Sequence, residues 1–158
     1  EKYKNKNFLR VIIDKKLALS PRYRVFRDEN VFVACTDLAP SRNKEKMTKA
    51  GIKFKSFGKE EISIQKLLKH LGKTGIQSVF VEGGSSVHGS FFDAAMKTQR
   101  LLDNVRFYIA PTLIGGQKSL SVIGGIGAQN LKKAIDLEQY EVKRIGEDVK
   151  VEGELISY

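Results

Sequence analysis

Tryptophan is absent from the 158 residues, and cysteine, histidine and proline occur only one, two and three times. The single thiol, Cys35, cannot close an internal disulfide. Flanked by Val33, Ala34 and Thr36, it reads as a small apolar packing residue suited to a reducing cytoplasm. His70 and His88 with one cysteine give no metal-ligand spacing, so no metal is expected. No apolar run approaches the roughly 18 residues that cross a bilayer, and no signal-peptide stretch follows the basic amino terminus. These absences predict a soluble protein without a membrane partner. Acid is the scarcer charge, at 18 Asp and Glu against 28 Lys and Arg, for a formal net charge of +10.

A hydrophobic content of 41% in a chain of this length supports one domain, 1–158, with a real core. The basic excess is uneven: residues 1–27 hold nine Lys and Arg against Glu1 and Asp14, and the remainder is nearly balanced. Nucleic acid, a phosphorylated small molecule or solubility alone would each account for such a cluster. The cluster lacks aromatic interleaving, and no zinc finger, helix-turn-helix or ribonucleoprotein pattern is present, which disfavours nucleic acid.

Phe8 to Ile13 and Val31 to Cys35 are short β-branched runs that predict strands, with a loop over Leu17 to Glu29. A short polar helix near 43–50 closes at Gly51, and Ile52 to Phe57 alternates as an edge strand does. Ile64, Leu67, Leu68 and Leu71 fall at helical spacing, with Gly72 and Gly75 at the end. Ile76 to Val81 then reads as a strand buried on both faces, followed by a helix whose apolar stripe is Val87, Phe91, Phe92 and Ala95. Val105, Phe107 and Ile109 alternate in a further strand. A glycine-rich loop runs through Gly115-Gly116 to Gly127, and a closing antiparallel hairpin spans Glu138 to Ile145 and Val149 to Ile156 across Gly146-Glu147-Asp148. The pattern is a mixed α/β sheet, parallel in the middle and antiparallel at the end.

The chemistry concentrates at Val79-Phe-Val-Glu-Gly-Gly-Ser-Ser-Val-His88. Gly83 and Gly84 remove bulk where a backbone approaches a ligand, Ser85 or Ser86 caps the next helix, and free N–H groups at its start suit a phosphate. Glu82, a carboxylate at the end of a buried strand, is costly unless paired or used. A Gly-Gly turn that binds nothing is the plain alternative. Other motifs fail. Gly72-Lys73-Thr74 lacks the first P-loop glycine, Gly125-Ile-Gly127 lacks the third of a dinucleotide fingerprint, and Gly84 to His88 is no nucleophile elbow.

Phe80-Val-Glu-Gly-Gly-Ser-Ser-Val-His-Gly-Ser-Phe-Phe92, Phe107-Tyr-Ile-Ala-Pro-Thr-Leu-Ile-Gly-Gly116 and Ile145-Gly-Glu-Asp-Val149 together resemble the reductase domain of the bifunctional riboflavin-biosynthesis deaminase/reductase, over nearly the whole chain. The resemblance implies a three-layer dihydrofolate-reductase-like α/β fold, with a mixed, mainly parallel central sheet and a carboxy-terminal antiparallel hairpin. It also implies an NADPH-dependent enzyme, a phosphorylated pyrimidine substrate and a homodimer. The activity would be reduction of 5-amino-6-(5-phosphoribosylamino)uracil to its ribitylamino form. Matched residue by residue, Glu82 takes the place of the acid at the substrate pocket. Gly83 and Gly84 through Ser90, namely Ser85, Ser86, Val87, His88, Gly89 and Ser90, take that of the turn and helix start on the cofactor pyrophosphate. Asp14-Lys15-Lys16 stands where the family commonly has Asp-Ser-Arg/Lys against the adenosine 2′-phosphate. Lys15 departs from serine, and its charge would compensate for the lost hydroxyl. Nothing before Phe8 resembles the family's initial strand and helix, and the deaminase zinc motif is absent, so the chain is expected to match the later part of a longer protein.

In that reading catalysis is mainly the holding of two reactants in contact, with Glu82 orienting a substrate hydroxyl or amino group or stabilising a developing cation, and His88 packing beside the cofactor. Two alternatives stand: another NADPH-dependent pteridine or pyrimidine reductase of the same fold, and a noncatalytic basic module for nucleic acid or a phosphorylated ligand.

Overall fold

The computed structural model describes residues 8–98 and 100–155; the expected contributions of Lys2, Lys4, Lys6 and Ile156 lie outside them. The chain divides into two compact units, 1–78 and 79–158.

In the first unit, β1 (Arg10–Ile13), β2 (Val31–Cys35) and β3 (Lys53–Ser56) form a parallel sheet in that order. β2 is apolar throughout because it is central, and a parallel strand with both faces covered has no side for polar residues. Val31, Val33 and Cys35 point to one face, where they meet Leu17, Ala39 and Met47 of α1 (Ser41–Lys49). Ala34 points to the other, with Phe57, Ile62, and Leu67 and Leu71 of α2 (Ile64–Lys73). Helix, sheet and helix thus make three layers within this unit. β3 lies at the sheet edge, as its alternation predicts, and α2 begins at the N-cap Ser63, whose hydroxyl accepts from the Lys66 N–H at 3.4 Å. Cys35 is buried, which pushes its thiol up from the usual value. His70 lies 5.5 Å from the Phe32 ring and 5.4 Å from Phe57, so it is a packing residue of α2.

The expected strand at Ile76 to Val81 is not formed. Those residues belong to neither sheet, Val79 and Phe80 are exposed, and the boundary between the units falls at Ser78/Val79. An apolar run becomes a strand only where neighbouring strands accept its hydrogen bonds. Among the described residues, none takes that place.

The second unit contains α3 (Ser85–Ala95), β4 (Asn104–Ile109), β5 (Leu137–Ile145) and β6 (Asp148–Leu155), with β6 between β4 and β5 in an antiparallel sheet. The hairpin turn is tighter than expected: Ile145 pairs with Asp148, leaving Gly146 and Glu147 as its tip. Gly146 carries the positive φ of +61° that the first position of such a turn favours. The register slips between Glu138 and Glu141, where Gln139 takes a φ of +47°. Opposite this bulge, a Cβ on Gly153 would stand 2.9 Å from the Tyr140 Cβ, so only glycine leaves room. Across β4 and β6 the Arg106 guanidinium donates to the Glu152 carboxylate, and the Lys150 ammonium donates to its other oxygen at 2.5 Å.

Candidate functional site at the start of the third helix

α3 begins where its sequence predicts, but its capping differs. Gly84 is the N-cap residue, in extended conformation and with no side-chain cap. Ser85 and Ser86 do not cap the helix: Ser85 Oγ pairs with Ser121 Oγ at 3.2 Å, and the Ser86 carbonyl accepts from Ser90 Oγ at 2.9 Å. The reason is positional, since a side chain caps only from the N-cap position and both serines lie inside the first turn. The Gly84 carbonyl accepts from the Val87 and His88 N–H groups at 3.0 and 3.1 Å. Among the described residues, the N–H groups of Ser85 and Ser86 have no acceptor.

A cofactor diphosphate fits this corner. The Ser85 and Ser86 amides are unclaimed, no side chain caps the helix by a hydrogen bond, and the space beside Gly84 is open, with nothing within 4 Å of where its Cβ would lie. Gly83 differs: a Cβ there would lie 2.8 Å from that of Val87, so its glycine serves the turn. Val87 is half-buried, and Gly89 is buried in the helix interior.

Glu82 is exposed, which corrects the expectation of a carboxylate at the end of a buried strand. With Ile76 to Val81 unpaired, its charge stays solvated, and its presence no longer implies a use on the ground of burial cost.

The loop after β4 lies on α3. Gly124 N–H donates to the Ser85 carbonyl at 2.9 Å, His88 Nδ1 is 3.3 Å from the Val122 carbonyl oxygen, and the Asp93 carboxylate accepts from the Ile126 and Gly127 N–H groups. Sequence reasoning marked a glycine-rich loop from Gly115-Gly116 to Gly127 but missed Asp93, Ser121 and the Val122 carbonyl. One signal was available. Glycine within a helix costs about 1 kcal/mol relative to alanine, so Gly89 in the middle of α3 marks a close backbone approach.

Lys15 and Lys16 belong to the first unit. The Asp14 carboxylate accepts from the Leu19 N–H at 2.9 Å and the Lys16 N–H at 3.3 Å. Thr36 donates its N–H and hydroxyl to the Lys15 carbonyl, and the Asn43 amide donates to that of Lys16. The turn is therefore fixed through its backbone while both lysine side chains are exposed. Lys15 pairs with Glu61, and such an exposed pair is weak. Among the described residues, no group of three or more His, Cys, Asp or Glu is placed to hold a metal, and no helix is long and apolar enough to cross a membrane.

The RibD C-terminal domain family model matches residues 1–151. The riboflavin biosynthesis protein RibD of Bacillus amyloliquefaciens is 38% identical over 145 residues, 90% of this chain and 38% of that protein. The 2,5-diamino-6-ribosylamino-4(3H)-pyrimidinone 5′-phosphate reductase of Methanothermobacter thermautotrophicus is 32% identical over 148 residues, 92% of this chain and 65% of its own length. Among solved structures, Acinetobacter baumannii RibD superposes with a TM-score of 0.71 at 22% identity, covering 95% of this chain and 38% of that one. The chain thus spans less than two thirds of each of these relatives, and the shared fold is the dihydrofolate-reductase-like one expected. On the family match across almost all of its residues, the chain belongs to the RibD C-terminal domain family.

Proposed function

We propose that the protein is an NADPH-dependent reductase acting on 5-amino-6-(5-phosphoribosylamino)uracil in riboflavin biosynthesis, with both units forming one reductase domain. The observation that carries this reading is the first turn of α3. Two backbone N–H groups without acceptors among the described residues follow Glu82-Gly83-Gly84, within a chain that matches a family of reductase-bearing proteins. The names of relatives such as the pyrimidinone 5′-phosphate reductase support a phosphorylated pyrimidine as substrate.

In the second unit the Ser85 and Ser86 amides would hold the diphosphate bridge, with Gly83, Gly84 and Val87 through Ser90 shaping its surroundings; in the first unit Lys15 and Lys16 offer exposed ammonium groups to a phosphate. NADPH, when bound, supplies a hydride. The residues of this chain bind, orient and exclude water, and positioning of this kind lowers the barrier without a strong acid or base. Glu82 meets an amino or hydroxyl group of the substrate or the positive charge that develops as the sugar carbon becomes imine-like. Exposed Tyr108, Ile109, Val142 and Ile145 support a homodimer, and the free thiol of Cys35 supports the cytoplasm.

The test is NADPH oxidation by the protein with the phosphoribosylamino-uracil. Glu82→Gln should lower kcat/KM by roughly tenfold to hundredfold with NADPH affinity unchanged; undiminished activity overturns the role of Glu82. A second reading, in which the preferred substrate is the 2,5-diamino-pyrimidinone phosphate, is favoured by the name of the Methanothermobacter thermautotrophicus relative. Comparing kcat/KM on the two pyrimidines separates them.

A further inference from the structure

Asp93 lies one helical turn beyond Gly89 on α3, away from the free first-turn amides, and its carboxylate is turned to the glycine-rich loop. Oδ2 accepts the Ile126 N–H at 2.8 Å and Oδ1 the Gly127 N–H at 3.0 Å, closing two backbone amides, 33 and 34 residues away in sequence, onto one side chain. Nearer the helix start the same loop is held by the Gly124 N–H on the Ser85 carbonyl and by the Ser121 and Ser85 hydroxyls.

The seat is cut to fit. A Cβ on Gly89 would stand 2.4 Å from the Gly124 carbonyl carbon, and one on Gly124 would stand 2.7 Å from Ser85 Oγ. Gly125 adopts a φ of +82°, where a Cβ would also press within 2.5 Å of Asp93 Oδ2. Burial does not hold the loop down, because Val122 and Ile126 are 63% and 79% exposed. A long segment without strand or α-helix pays a large ordering entropy, and hydrogen bonds to a charged acceptor are the stronger kind available to offset it.

The geometry points to Asp93 as a positioning residue: it anchors the 124–127 loop on α3 so that the loop forms one wall of the diphosphate site at the start of that helix. This rests on the cofactor reading given above and deepens it. Asp93 acts through the loop and does not itself touch the cofactor.

The experiment compares the full chain with Asp93→Ala and Asp93→Asn. It reads amide hydrogen exchange at Ile126 and Gly127, NADPH affinity from cofactor fluorescence, and the NADPH KM and kcat of the reductase reaction. Asp93→Ala should speed exchange at both amides and weaken NADPH binding about tenfold each, with kcat at saturating cofactor within about twofold. Asp93→Asn keeps a carbonyl acceptor and should fall between. Unchanged exchange overturns the anchor. Faster exchange with unaltered NADPH affinity overturns its service to the site while leaving the cofactor reading intact. A wild-type chain that binds no NADPH overturns both, and is recognised because the unsubstituted protein fails. Should Asp93→Ala not fold by circular dichroism, the near-isosteric Asp93→Asn decides by the same readouts.

Discussion

The two units solve the problem of staying folded differently. Among the described residues, twelve of the fourteen buried hydrophobics lie in the first and two, Phe91 and Ala95, in the second; of eighteen exposed large hydrophobics, fourteen lie in the second. The first unit is held by a two-faced core around β2. The second relies on the hairpin ladders, the Arg106–Glu152–Lys150 cluster and close backbone contact between α3 and its loop. A unit that keeps its apolar groups outside has them free for a partner or ligand, and it is this unit that carries the candidate cofactor turn.

Substitutions should break this contrast unequally. Leu67→Ala, in the core beneath α2, should cost about 2–5 kcal/mol in chemical denaturation, whereas Leu113→Ser, at a fully exposed position of the second unit, should stay within about 0.5 kcal/mol. Equal losses would show that the second unit has a core of its own. Gly89→Ala should cost about 1–3 kcal/mol, because the added Cβ would meet the Gly124 backbone at 2.4 Å and force it to shift, and should move the resonances of residues 121–127. The electrostatic cluster gives the smallest effect. Hydrogen bonds from Arg106 and then Lys150 lower the Glu152 carboxyl from 4.5 to about 2. Because the folded value is depressed, its stabilisation is present above about pH 4.5 and is lost as pH falls toward 2. Glu152→Gln should therefore flatten the acid limb of the thermal midpoint between those values, and an unchanged limb would remove the cluster from the account.

Much of this was legible in the residues. The periodicity of Ile64, Leu67 and Leu71 and the apolar run of Val31 to Cys35 are local signals, and α2 and β2 stand where they place them. So does α3 after its Gly-Gly turn. Ile76 to Val81 failed because the same apolar run fits a buried strand and an unpaired segment equally well, and only available partners distinguish them. The serine cap failed by one residue, a shift that no spacing argument resolves.

The sequence alone determined the elements whose causes lie within a few residues: helix periods, turn glycines, the charge imbalance and the family motifs. Tertiary structure decided what depends on distant segments meeting: that Glu82 is solvated, that β6 lies between β4 and β5, and that Asp93 closes on amides 33 and 34 residues away. Local preferences act through neighbouring atoms of the chain, whereas burial and long-range hydrogen bonds exist only once the chain has folded back on itself.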